Sequence, residues 1–195
     1  NCTGASILYN TSTATDNPNS CTTNTTAPPA GPTTFEPGDM IIVGFDTNIG
    51  NGGWDMITVA SFVDIGPGTK FIVANMVYEY EDAANVSTGR WYRCSSDAGK
   101  SDSGHPQYLE ITYNGTAALS AGTVLCLTLN SNEDCLDEIK VNGVVSSDFS
   151  DNSSGQVNMS SSKADAIFLM QGTFSAIQTA GSAYNYRTFT GSVLG

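Results

Sequence analysis

The sequence predicts an all-β fold, an antiparallel β-sandwich of about ten short strands behind an extended Thr/Asn/Pro-rich N-terminal arm. Three observations predict it. Short apolar runs rich in β-branched side chains recur between residues 38 and 195, each bounded by Gly, Asn, Asp or Pro. None carries a 3.6-residue apolar stripe long enough for a surface helix. Finally, Asn142-Gly143 separates Ile139-Lys140-Val141 from Val144-Val145, the pattern of a two-residue type I′ hairpin.

Residues 1–37 form the arm and linker, and residues 38–195 the sandwich domain. Thr, Asn, Ser and Pro dominate the arm, and Pro28-Pro29 and Pro32 stiffen its end. Its one apolar run is Ala5-Ser6-Ile7-Leu8-Tyr9. Alone, such a segment cannot bury enough apolar surface to offset the entropy of ordering it. Two readings follow. Either the arm packs back on its own sandwich, or Ala5–Tyr9 adds a strand to a sheet edge of the next molecule.

The domain opens with three apolar runs, Met40–Phe45, Met56–Ile65 and Thr69–Asn75. Between the first two lies an Asx- and Gly-rich loop in which Asp46, Asn48, Asn51 and Asp55 are candidate Ca²⁺ ligands. Gly50 and Ile57 stand where an EF-hand loop needs an oxygen donor and a bidentate Glu, so a plain turn is the favoured reading. Ile65-Gly66-Pro67-Gly68-Thr69 is a tight turn, echoed by Leu119-Ser120-Ala121-Gly122-Thr123, and each feeds an apolar strand. The acidic Tyr78–Asp82 and the polar Ser95–Pro106 read as loops. Gln107–Tyr113 and Val124–Leu129 read as strands, and Ser146–Lys163 as a loop with at most one short strand. Ala166–Met170, Thr173–Ile177 and Tyr184–Phe189 complete the set.

These phrases carry a resemblance. Gly38–Asp46, Asp64–Phe71, Leu119–Val124 and Asn158–Gly172 together resemble a secreted β-sandwich domain of large bacterial surface proteins and of some extracellular eukaryotic proteins. The resemblance covers most of residues 38–177 and implies fold and secretion. The arm and the cysteines fall outside it.

Composition narrows the function further. The chain is 39% hydrophobic but only 13% charged, with a net charge of -12. An acidic surface repels nucleic acid and anionic lipid, so neither is an expected partner. No apolar run approaches the ~18 residues that span a bilayer. The abrupt start at Asn1-Cys2-Thr3 reads as a processed mature N-terminus, which places the expected location outside the cell.

Seven Asn-x-Ser/Thr acceptors, at Asn1, Asn10, Asn24, Asn85, Asn114, Asn152 and Asn158, point to a glycoprotein with covalent glycans. Five cysteines leave one over in an oxidising compartment. One arrangement among several pairs Cys2 with Cys21 and Cys126 with Cys135, leaving Cys94 unpaired or bonded to another chain.

Catalytic chemistry finds little footing. His105 is the single histidine, and it sits in a polar loop with nothing like a nucleophile elbow nearby. The carboxylates Glu79, Glu81 and Asp82, and Glu133, Asp134, Asp137 and Glu138, cluster in polar stretches instead of facing each other as glycosidase pairs do. No Gly-rich phosphate cradle is present. The expectation is therefore a non-enzymatic subunit of an extracellular homopolymer, needing no cofactor. A Ca²⁺-dependent carbohydrate-binding or adhesion module is the alternative.

Overall fold

The computed structural model describes residues 31–49, 54–81, 87–93, 107–130, 136–152, 157, 166–180 and 184–195. Among these residues there are twelve strands and no helix. In chain order they are β1 (Met40–Ile49), β2 (Trp54–Ser61), β3 (Lys70–Glu81), β4 (Ser87–Arg93), β5 (Tyr108–Tyr113) and β6 (Val124–Leu129). Then follow β7 (Leu136–Val141), β8 (Val144–Val145), β9 (Phe149–Asp151), β10 (Ile167–Phe174), β11 (Gln178–Ala180) and β12 (Tyr184–Val193). The five-stranded sheet has the order β1-β2-β6-β7-β8; the other, of seven strands, runs β10-β12-β4-β3-β5-β9 with β11 on β12. The protein is an antiparallel β-sandwich.

Alternation along the strands builds the core. Ile57 and Val59 of β2, with Leu125, Leu127 and Leu129 of β6, turn inward and are fully buried. Facing them, Phe71 and Val73 of β3, Leu109 and Ile111 of β5 and Leu169 of β10 do the same. Phe35, Ile65 and Leu194 join the same cluster.

The two echoing turns meet in space. Ile65 and Leu119 form an antiparallel bridge, with N–H···O distances of 2.8 and 2.9 Å. In each turn a glycine at positive φ, Gly68 or Gly122, precedes a threonine whose N–H and hydroxyl both donate to the carbonyl three residues back. The Asp64 carboxylate accepts the Ala121 N–H at 2.8 Å, tying one turn to the other. The hairpin expected at Asn142-Gly143 is present, with both residues at positive φ (50° and 88°).

Several boundaries differ from expectation. The second strand ends at Ser61 instead of Ile65: the Phe62 N–H makes a last ladder bond to the Asp39 carbonyl, and the Ser61 hydroxyl then donates to the Val63 carbonyl as the chain turns. The acidic stretch expected as a loop extends β3 to Glu81, paired with β4. Ala166–Met170 and Thr173–Ile177 are not separate strands. β10 runs through Gln171-Gly172, since Gly172 lies opposite Gly191 of β12 and the pair lets the backbones approach. β4 has no counterpart among the expected strands.

A second core follows from how the larger sheet curls. β3 pairs with β4 and with β10, β4 pairs with β12, and β12 pairs with β10, so the four strands close a cycle of ladders. Ile72, Ala74 and Met76 line its interior with Trp91, Met170 and Phe174. Trp91 stands at the centre, edge-on to Phe168 at 5.0 Å and to Phe174 at 6.1 Å between ring centroids.

Candidate functional site

β1 ends its sheet, and its ladder with β2 places Phe45 opposite Ile57. Opposite residues of an antiparallel pair project to the same face. Ile57 is fully buried on that face, yet Phe45 is 68% exposed, and bulged Val43 beside it is 51% exposed. The apolar side of the sandwich therefore runs out to an edge that nothing among the described residues covers. Among the described residues the start of β1 is covered: Gly38 donates to the Leu194 carbonyl at 3.1 Å, and Gly195 lies against Met40 and Ile41. From Val43 to Ile49 the strand offers a row of N–H and C=O groups left unpaired among the described residues. The opposite end of the same sheet is the two-residue β8, too short to template much.

The chain leading in from the arm is anchored nearby. The Gln171 side chain accepts the Phe35 N–H at 2.6 Å and donates to the carbonyls of Thr33 and Lys70, both at 2.9 Å. Thr33 is fixed in turn by the Thr69 hydroxyl, which accepts its N–H at 2.8 Å, and by the Asp64 carbonyl, which accepts its hydroxyl proton. Residues 33–35 are thus bound to the sandwich, and the arm departs from the end where β1 begins.

A second feature is an aromatic pocket of about 350 Å³ at the mouth of the curled ladder, lined by Tyr78, Gly89, Trp91, Phe168, Phe189 and Val193. Tyr78 and Val193 form its rim, each 42% exposed. The lining is apolar, so it suits a hydrophobic face more than an ion.

Of the sites expected from sequence, Ala5–Tyr9, Asn1, Asn10, Asn24, Asn85, Asn158, Asn51, Cys2, Cys21, Cys94, Cys135 and His105 lie outside the described residues. Asn48 falls within β1. Asp46 and Asp55 are described and do not converge. Asp46 sits opposite Met56, on the outer side of the sheet, whereas Asp55 alternates with Met56 and is buried on the inner side. Among the described residues no group of His, Cys, Asp or Glu is placed to hold a metal ion. Cys126 is a free thiol on the outer side of β6, its sulfur 3.5 Å from the Thr58 hydroxyl. Across the ladder from it stands Lys140, whose ammonium the Glu138 carboxylate holds charged at 2.7 Å, raising its pKa. Asn114 and Asn152 are exposed at one sheet edge.

Sequence reading misses both the open edge and the pocket. The signal for the pocket is the alternation of Phe168, Met170 and Phe174 on one face of β10, opposite to Leu169. The signal for the edge is not local, since an edge is defined by which strand fails to arrive. Fold and site together define an all-β sandwich with a long apolar edge left open among the described residues. Comparison with family models, with curated proteins and with solved structures finds no match.

Proposed function

We propose that this protein is a non-catalytic structural subunit of an extracellular glycoprotein filament or surface assembly, joined head-to-tail by its N-terminal arm. Ala5–Tyr9 of one copy adds a strand along Val43–Ile49 of the next. The observation that carries this reading is Phe45, an aromatic on the core side of the sandwich that remains two-thirds exposed at an edge left unpaired among the described residues. Main-chain hydrogen bonds supply the joint, and alternate side chains among Ile7, Leu8 and Tyr9 cover Phe45 and Val43.

Reach and charge agree with it. The 21 residues from Asn10 to Ala30 span up to about 70 Å when extended, enough to cross a domain of this size. Residues 1–30 carry a single charged side chain, Asp16, so the arm meets an acidic neighbour without repulsion. Such a contact is heterologous and leaves a free arm and a free edge at the two ends, so it propagates.

Deleting residues 1–20 tests the proposal. The truncated chain is expected to stay a folded monomer by circular dichroism and light scattering while the full chain forms polymers visible by electron microscopy. Monomers from both chains sink it.

A second reading, a carbohydrate-binding or adhesion module, is favoured by the exposed Tyr78 beside Trp91, since aromatic faces stack on sugar rings. Calorimetric titration with a glycan panel, with and without Ca²⁺, separates the two. Absence of heat under every condition removes it.

A further inference from the structure

Two of the seven acceptor asparagines fall among the described residues, and they lie together. Asn114 follows the last residue of β5, and Asn152 follows the last residue of β9, the outermost strand of the larger sheet. In the β5–β9 ladder Thr112 is opposite Ser150. Main-chain bonds extend the ladder both ways, from the Asn114 N–H to Asp148 at 2.6 Å and from the Asn152 N–H to Glu110 at 2.9 Å.

Glu110, Thr112 and Asn114 alternate along one strand, Ser150 and Asn152 along the other. All five project to the same face, the one turned away from the main core. Side-chain bonds agree: the Asn114 amide donates to the Ser150 hydroxyl at 2.9 Å, and the Asn152 amide to the Thr112 hydroxyl at 2.6 Å. Both asparagines are exposed. They stand four ladder positions apart, about 13 Å, at the β9 edge of this sheet, which the described ladders leave unpaired; the other strand paired on one side only is the three-residue β11 on β12.

By contrast, residues 38–84 contain no acceptor triplet, so the edge at Val43–Ile49 has none beside it. An N-glycan is a bulky, hydrated group that a packed interface excludes. One at each asparagine would crowd the approach of an incoming strand to β9, whose ladder bonds run from Asp148 to Asn152.

Building on the assembly reading above, we infer that N-glycans on Asn114 and Asn152 close the β9 edge, so that a neighbour's arm is received at β1 alone and the polymer grows unbranched. With β8 and β11 offering only two and three residues, the glycans thereby leave β1 as the one long acceptor edge among the described residues. The same rule that blunts exposed edges with charge or proline is met here with sugar.

The test uses the full chain secreted from a eukaryotic host. Peptide mass spectrometry reads occupancy at both asparagines, and electron microscopy reads polymer form. The substitutions Thr116→Ala and Ser154→Ala abolish the triplets while keeping Asn114 and Asn152 with their hydrogen bonds. The expected result is both sites occupied and linear polymers from the unaltered chain, with branched or laterally fused polymers from the double variant. An unoccupied asparagine, or unbranched polymers from the double variant, overturns the inference and leaves the arm-to-β1 joint standing. No polymer from either chain removes the joint and this inference together.

Discussion

Gly172 and Gly191 stand opposite each other in the β10–β12 ladder, and neither has room for a side chain. A Cβ on Gly172 would lie 2.7 Å from the Phe189 ring and 2.8 Å from the Gly191 Cα; one on Gly191 would lie 2.6 Å from the Gly172 Cα. Real Cβ atoms do not approach so closely, and backbone cannot step aside cheaply. This contact lets the Phe189 ring settle over Gly172 and closes the cycle of ladders around Trp91. Gly172→Ala is therefore expected to destabilise the fold by more than about 2 kcal/mol, read as a fall in urea midpoint together with lost near-ultraviolet dichroism from Trp91. A variant as stable as the parent would mean the strands separate without consequence.

Phe45 gives a prediction of the opposite kind. Its exposure means that Phe45→Lys removes little packing within one copy, so stability should change by no more than about 0.5 kcal/mol. A lysine on an edge strand opposes strand addition, because pairing would desolvate its charge. Assembly should be lost while the melting curve is kept. Polymers of normal yield from the Phe45→Lys chain would place the joint elsewhere.

How far the sequence announces this fold is clear from particular residues. Asn142-Gly143, Gly68-Thr69 and Gly122-Thr123 each sit in a turn closed by bonds within five residues, so these turns are legible in the order of residues alone, although Gly68, Gly122 and Asn142 also donate to the distant carbonyls of Tyr113, Ser61 and Val124. The inward alternation of Leu125, Leu127 and Leu129 is equally local. The break expected at Gln171-Gly172 is absent because the meaning of that glycine depends on Gly191, some twenty residues away. The same holds for Phe45, whose exposure follows from β1 standing at the sheet edge among the described residues. Asp46 and Asp55 look like joint ligands by spacing, but a strand on each side of the loop sends them to opposite faces.

Tyr113 supplies a pH prediction. It is almost fully buried, its hydroxyl donates to the Ala117 carbonyl at 2.5 Å, and its ring lies 5.1 Å from Phe149. Burial first, and then the negative Asp148, raise its pKa above the ordinary tyrosine value. A group whose folded pKa is raised binds its proton more tightly when folded, so its contribution is complete below about pH 10 and is lost as pH rises through the folded value. Stability measured by denaturant midpoint should decline above about pH 10, more steeply than for Tyr113→Phe. That variant should cost about 1 kcal/mol at neutral pH for the lost hydrogen bond. Parallel alkaline profiles for the two chains would show that Tyr113 does not carry the effect.

Gln171 is the residue that decides where the arm leaves the sandwich. One amide group serves three main-chain partners on two segments, Thr33 and Phe35 before β1 and Lys70 at the start of β3. A leucine fills similar volume but offers no donor or acceptor, so the Phe35 N–H and the Thr33 carbonyl lose their partner on the sheet. At about 1 kcal/mol for each ordinary hydrogen bond, Gln171→Leu should cost roughly 2 to 3 kcal/mol, reduced where water reaches the freed groups. The loss should also be local. Amide exchange at Phe35 should accelerate by about tenfold or more while Val59 and Leu127, central in the other sheet, exchange as before. Since Phe35 is itself a buried core residue, its ring still holds the segment loosely in place and the sandwich survives. Unchanged protection at Phe35 would mean that the ring alone fixes the segment and that the Gln171 amide only fills space.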